Sequence, residues 1–201
     1  MERALNDRPT ASQQTLVEAQ QRKKIGLLGI TFFIASESMF FLGLFMAYFY
    51  VRNTSQAWPP EGVTPPSIVP AAFNTLIALI GSVAVIYAGR AIAHDNRRHL
   101  VGGMVVAITC GVVFMAVQAA EFTDLSIMAQ GSAYGSTFTF LLVFHVLRVF
   151  CGVALMAAVL VRALMGQFSK DHRLMVQATE MYWVFITGVW LVVFYVLYIY
   201  K

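Results

Sequence analysis

The sequence predicts an all-α polytopic membrane protein, a five-transmembrane-helix bundle with its N-terminus cytoplasmic and its C-terminus external. Three observations carry this. Hydrophobic residues make up 59% of the 201 and charged residues only 12%, against roughly 25% charged in a soluble domain, so most of the surface must face lipid. Five stretches reach the ~20 apolar residues a helix needs to cross a bilayer. Finally, lysine and arginine gather in alternate connections between those stretches.

The chain opens with a polar tail, residues 1–24, expected in the cytoplasm. No secretory signal is read there, because apolar sequence begins only after residue 24. The acids Glu2, Asp7 and Glu18 among Arg3 and Arg8 argue against a mitochondrial transit peptide. The first span is then the insertion signal. The transmembrane domain, 25–201, contains spans at about 25–51, 70–93, 100–120, 134–161 and 182–200. Turn chemistry separates them: Trp58-Pro59-Pro60 with Pro65-Pro66, then His94-Asp95-Asn96-Arg97-Arg98, Gly131-Ser132, and Ser169-Lys170-Asp171-His172. No connection is long enough for a soluble domain, and no internal repeat is visible.

Charge placement orients the bundle. The tail carries Arg3, Arg8, Arg22, Lys23 and Lys24. The second connection carries Arg90, Arg97 and Arg98, and the fourth Arg162, Lys170 and Arg173. On the other side stand only Arg52 and Lys201. Positive residues mark the cytoplasmic side. The net charge of +4 therefore reads as topology and excludes a phosphate-binding stripe for nucleic acid. Cys110 and Cys151 both lie inside apolar runs and read as small packing residues. Two small-residue stripes predict close helix packing: Gly29, Ser36, Gly43 and Ala47 in the first span, and Gly103, Ala107 and Gly111 in the third.

An ionisable group near the bilayer centre costs from ~3 to more than ~10 kcal/mol, so each one needs a reason. Glu37 stands at the midpoint of the first span and Arg148 at the midpoint of the fourth. Each is about 13 residues, roughly 20 Å of helix, from either end, too far to snorkel. Equal depth and opposite charge predict that they pair, directly or through a polar group such as Thr187. A fixed ion pair that sets helix register and a proton-handling carboxylate both fit these residues. His145 lies one turn before Arg148, with Gly152 one turn beyond, and completes the expected buried polar cluster. One intramembrane histidine cannot ligate a haem on both sides, and no cysteine–histidine spacing suggests copper or iron, so no metal site is expected. Gln118 and Glu121 close the third span and are expected to hydrogen-bond a neighbouring connection. Glu180 opens the fifth, where the helix dipole favours an acid. Trp58, Tyr182, Trp183, Tyr198 and Tyr200 read as interfacial aromatics in contact with lipid headgroups. No nucleophile, base and orienter converge, so no catalytic residue is read.

The run Ser36-Glu37-Ser38-Met39-Phe40-Phe41 resembles the Ser-Glu-x-x-Phe-Phe signature of cytochrome c oxidase subunit III. Further matches follow in order: Trp58-Pro59-Pro60 with Gly62, Asn74-Thr75, Gln118-Ala119 with Glu121-Phe122, and Tyr134-Gly135-Ser136-Thr137-Phe138. Phe144-His145 with Leu147 and Gly152, then Tyr182-Trp183 with Phe185 and Trp190, complete the set. The resemblance implies the five-helix bacterial form of a subunit with seven helices in mitochondria, the first two being absent. It implies a non-redox subunit that binds no haem or copper, which reside in partner subunits. It further implies main contact with catalytic subunit I, with subunit II in the same complex, and a structural phospholipid held in a cleft. Support of proton uptake during oxygen reduction and a place in the bacterial inner (plasma) membrane follow from the same resemblance. Glu37 matches the family's buried, carbodiimide-reactive carboxylate.

Two departures stand out. Arg148 replaces a second histidine of a His-Gly-Leu-His run, and Thr187 replaces the aspartate of Trp-His-Phe-Val-Asp. A permanent cation needs only one carboxylate, so the aspartate can be lost without upsetting neutrality. These departures leave open a subunit III-like accessory protein of a nitric oxide reductase or quinol oxidase. A small stand-alone transporter is the reading from another class; the lack of an inverted repeat or a helix broken at mid-depth counts against it.

Overall fold

The computed structural model describes residues 11–60, 66–128, 133–169 and 172–200. Arg3, Arg8, Gly62, Pro65, the Gly131-Ser132 break, Lys170-Asp171 and Lys201 lie outside the described residues. Among the described residues the regular elements are helices: α1 Ala11–Thr54, α2 Ile68–Ala93, α3 Arg97–Met128, α4 Ala133–Leu164 and α5 Leu174–Phe194. A π turn, Tyr195–Ile199, continues α5. All five helices are long and apolar enough to cross a membrane.

Three helix boundaries differ from those read from the sequence. Helix α1 begins at Ala11, because Gln, Glu, Ala and Lys between residues 13 and 24 are good helix formers and extend a helix already nucleated by the apolar run. At 44 residues it is about 66 Å long, twice a bilayer core. Helix α3 runs on to Met128. Helix α5 begins at Leu174 rather than at residue 182, because Gln177, Thr179 and Glu180 depress the hydropathy of a segment that is turned into the bundle.

The turns have local causes. Ser67 caps α2 by accepting the Val69 N–H. At the α2–α3 turn Asp95 takes φ 55°, a left-handed value that aspartate tolerates. Gly166 (φ 78°) ends α4: its N–H donates to Ala163 O, and Gln167 N–H donates back to Arg162 O. That is a Schellman closure, which needs a residue free to adopt positive φ. Arg97 adds a second cap by donating to the Ala163 and Leu164 carbonyls from across the bundle.

Helix α5 is the centre of the bundle, with 56% of its spanning window buried. It packs against α2 and α4, while α3 lies against both of those helices. Trp183 fills the middle. An added Cβ would stand 3.4 Å from its ring at Gly81, 2.9 Å at Gly111 and 3.0 Å at Gly152, so glycines of α2, α3 and α4 form a socket for one indole. Trp183 and Tyr182 are each only 3% exposed, which corrects the interfacial reading of both. The early start of α5 is the reason: residue 182 lies about 12 Å inside the helix, not at its end. Tyr198 is corrected likewise at 1% exposed.

Helix α1 is seated differently. Only 6% of its spanning segment is buried, and among the described residues its main packing is against α4 and α5. Its small-residue stripe is not packed: added Cβ atoms at Gly29 and Gly43 meet nothing within 4 Å, and Ser36 and Ala47 are exposed. The corresponding α3 stripe is buried, with Gly103 against Ala84 and Ala88 of α2.

Candidate functional site: an ion-pair clamp and a separate polar interior

The polar residues at membrane depth divide into three groups. In the first, Arg148 Nε on α4 donates to Glu37 Oε2 on α1. Both side chains are largely covered, 12% and 20% exposed. Arg148 Nη1 donates to Phe144 O at 3.2 Å, and Tyr182 Oη donates to Arg148 O at 3.2 Å. The guanidinium carbon stands 4.5 Å from the Phe40 ring centre and 4.7 Å from that of Phe41. Phe40 and Phe41 follow Glu37 by three and four residues, so the helix puts acid and rings on one face. Ser36 and Ser38 take no part, since each hydroxyl donates to its own helix at Phe32 O and Ile34 O. The clamp borders an open groove of about 600 Å³ between α1, α4 and α5, lined by Phe33, Phe144, Leu147, Cys151 and Leu155 among others.

The second group is sealed in the interior. His145 is 1% exposed and lies among the rings of Phe41, Phe114 and Trp190 at 6.4, 5.7 and 5.1 Å. Its Nδ1 has no hydrogen-bond partner among the described residues. Thr187 Oγ1 accepts from Ser82 Oγ of α2 at 2.8 Å. Thr187 and His145 border the same small void of about 10 Å³. The expectation of one four-residue cluster is thereby corrected. Thr187 does not bridge Glu37 and Arg148, and Phe41 stands between the clamp and His145. Residues three apart on a helix share a stripe, but a wide side chain from the facing helix can still part them.

The third group lies toward the other end of α3. Asn74 Nδ2 donates to Gln118 Oε1 at 3.3 Å, and Gln118 Nε2 to Glu121 Oε2 at 3.4 Å. Tyr198 Oη donates to Glu121 Oε1 at 2.9 Å. Gln118 and Glu121 therefore bond α2 and the π turn rather than a connection, because α3 extends past them. Nearby, half-buried Trp58 donates its Nε1–H to Tyr48 Oη at 3.3 Å and packs edge-on to Tyr134. Glu180 is not at a helix start either; its carboxylate lies against Gly89 of α2.

Sequence reasoning missed Tyr182, Ser82 and Tyr198 as members of these networks. The Phe40-Phe41 spacing after Glu37 was a legible signal; the partners of Tyr182 and Ser82, on other helices, left none. Among the described residues no three His, Cys, Asp or Glu side chains gather as a metal site would need. Both cysteines are free thiols.

Known proteins resemble this chain over nearly its whole length. A family model described as Cytochrome c oxidase subunit III matches residues 12–201. Cytochrome c oxidase subunit 3 of Gallus gallus is 34% identical over 177 residues, covering 85% of this chain and 67% of that protein. The proteins of the same name from Tachyglossus aculeatus aculeatus and Rattus norvegicus are each 32% identical, with the same coverage.

Proposed function

This chain belongs to the cytochrome c oxidase subunit III family of haem-copper oxidase subunits, and we propose that in its multi-subunit membrane complex it is a non-redox scaffold held in register by the Glu37–Arg148 clamp. Haem and copper are assigned to partner subunits, with catalytic subunit I as the main contact and subunit II in the same complex. The clamp is the observation that carries this reading. An arginine does not release its proton in a protein, so a carboxylate tied to one is a fixed pair rather than a relay. The subunit's support of proton uptake then comes from positioning. The clamp anchors a thinly seated α1 at mid-depth. The open stripe Gly29, Ser36, Gly43 and Ala47 offers a partner helix the close approach that small residues allow. The apolar groove beside the clamp suits the acyl chain of a structural phospholipid. The membrane is the bacterial inner membrane, and the cation-rich α2–α3 and α4–α5 connections face the cytoplasm with the N-terminus.

The test is purification through a tag on this chain, with a reduced-minus-oxidised spectrum and mass analysis of the partners. A haem a band with a large polytopic partner is expected; colourless, partner-free recovery refutes the reading, and a haem b band moves it to a quinol oxidase or reductase complex. For orientation, a membrane-impermeant thiol reagent is expected to label H94C from the cytoplasmic side and S55C from the outside. Labelling in the reverse sense overturns the topology.

A further inference from the structure

On the face of the bundle formed by α2 and α3, away from the main contacts of α1 with α4 and α5, runs a second groove of about 690 Å³. Its walls are Leu79, Ile80 and Val83 of α2 and Val106 of α3. Its floor opens at Gly102, where an added Cβ meets nothing within 4 Å. Next to it Gly103 holds the helices together, since a Cβ there would stand 2.9 Å from Ala84 O. One glycine thus makes the groove and its neighbour closes the crossing behind it.

Three features of this groove point to one kind of occupant. The lining residues run from Leu79 to Tyr87 on α2 and from Arg98 to Val106 on α3, about 12 Å of helix in each case. That is close to one leaflet, about half of a ~30 Å hydrocarbon core. A partner helix would pack along the whole span, so a single acyl chain fits the depth better. Polar groups sit at one end only: Arg98 and His99 lie at the mouth beside the α2–α3 turn, where headgroups are. Finally, that mouth has a cation to spare. His99 Nδ1 is taken by Tyr87 Oη, and Arg97 is committed to the carbonyls that end α4. Among the described residues no hydrogen bond or ion pair holds the exposed Arg98. Around this turn Arg90, Arg97 and Arg98 still outnumber the two described acids, Asp95 and Glu180, the second of which faces Arg90, and this balance favours a lipid with net negative charge.

We propose that the α2–α3 groove binds an anionic phospholipid, one acyl chain lying over Gly102 and the phosphate held by Arg98. This site is separate from the groove at the clamp and does not depend on the reading given to that clamp. The guanidinium supplies a fork of donors matched to phosphate oxygens. The open floor lets an acyl chain lie against helix backbone, burying apolar lining that bilayer lipid covers only loosely.

The experiment uses the intact complex in phosphatidylcholine nanodiscs containing a minority of phosphatidylglycerol. Either lipid in turn carries a photoactivatable acyl chain, and adducts are mapped by peptide mass spectrometry. Phosphatidylglycerol adducts are expected on residues 79–87 and 98–106. G102L, which fills open space, lowers adducts of both lipids by about fivefold or more, worth ~1 kcal/mol. V83F, on the opposite wall, blocks in the same way without touching α3. R98Q lowers phosphatidylglycerol adducts several-fold more than phosphatidylcholine adducts, a change in lipid selectivity that misfolding does not produce. Adducts indifferent to all three variants mean ordinary annular lipid and overturn the proposal. Absence of adducts together with photolabelling of a partner polypeptide at this face overturns it in favour of a protein contact.

Discussion

The clamp makes a quantitative prediction through a double-mutant cycle on Glu37 and Arg148. In E37Q the guanidinium keeps its bond to Phe144 O and its place over Phe40 and Phe41, but at mid-bilayer it loses the counter-charge of Glu37. A central arginine costs ~2.5–3.5 kcal/mol on insertion scales, and each retained aromatic contact returns roughly 0.5–1 kcal/mol. The net loss is therefore about 1.5 kcal/mol. In R148M the carboxylate loses its guanidinium partner, and breaking a buried pair from one side costs ~3–5 kcal/mol. The double variant E37Q/R148M leaves no charge, and replacing both members of such a pair is often near neutral. It should lose no more than about 1 kcal/mol, giving a coupling of roughly 4–6 kcal/mol. The assay is thermal denaturation of the purified complex in nanodiscs, followed by retention of this chain with its partners. For a chain of this size ~1 kcal/mol shifts the midpoint by about 2–4 °C, so the single variants should fall well below the double. If the double variant loses the sum of the two singles, the residues are not coupled and the clamp reading fails.

Two further predictions follow from packing. G152V and G111V crowd the Trp183 socket, where an added Cβ already stands 3.0 and 2.9 Å from the indole; each should cost ~1–3 kcal/mol by overpacking. G43A, facing open space, should be neutral or raise the melting point slightly through helix propensity, by up to ~1 kcal/mol, so equal losses at all three positions would refute the socket. R97Q removes the donors that cover Ala163 O and Leu164 O and should cost ~1–2 kcal/mol. Amide exchange at residues 165–167 should then accelerate while exchange at mid-α4 stays unchanged, and a uniform acceleration along α4 would count against a capping role.

The sequence alone determined the class, the five spans, the paired depth of Glu37 and Arg148, and the family resemblance. It could do so because these depend on local quantities: hydropathy summed over a window, charge on either flank, and distance along one helix. Its errors of depth at four residues share one origin. Gln118, Glu121, Tyr182 and Trp183 were put at membrane edges because their helices were read as ending there, yet α3 and α5 extend beyond them. Which face of each helix meets another was decided only by the tertiary structure. The stripe of Gly29 and Gly43 and the stripe of Gly103 and Gly111 look alike as spacing, but the first faces open space and the second receives Ala88 and Trp183. Likewise Thr187 has the right depth to bridge the clamp, but rotation about α5 turns it to Ser82. Hydropathy fixes depth in the bilayer, whereas azimuth around each helix axis is set by the fit of a few side chains, here one tryptophan among three glycines.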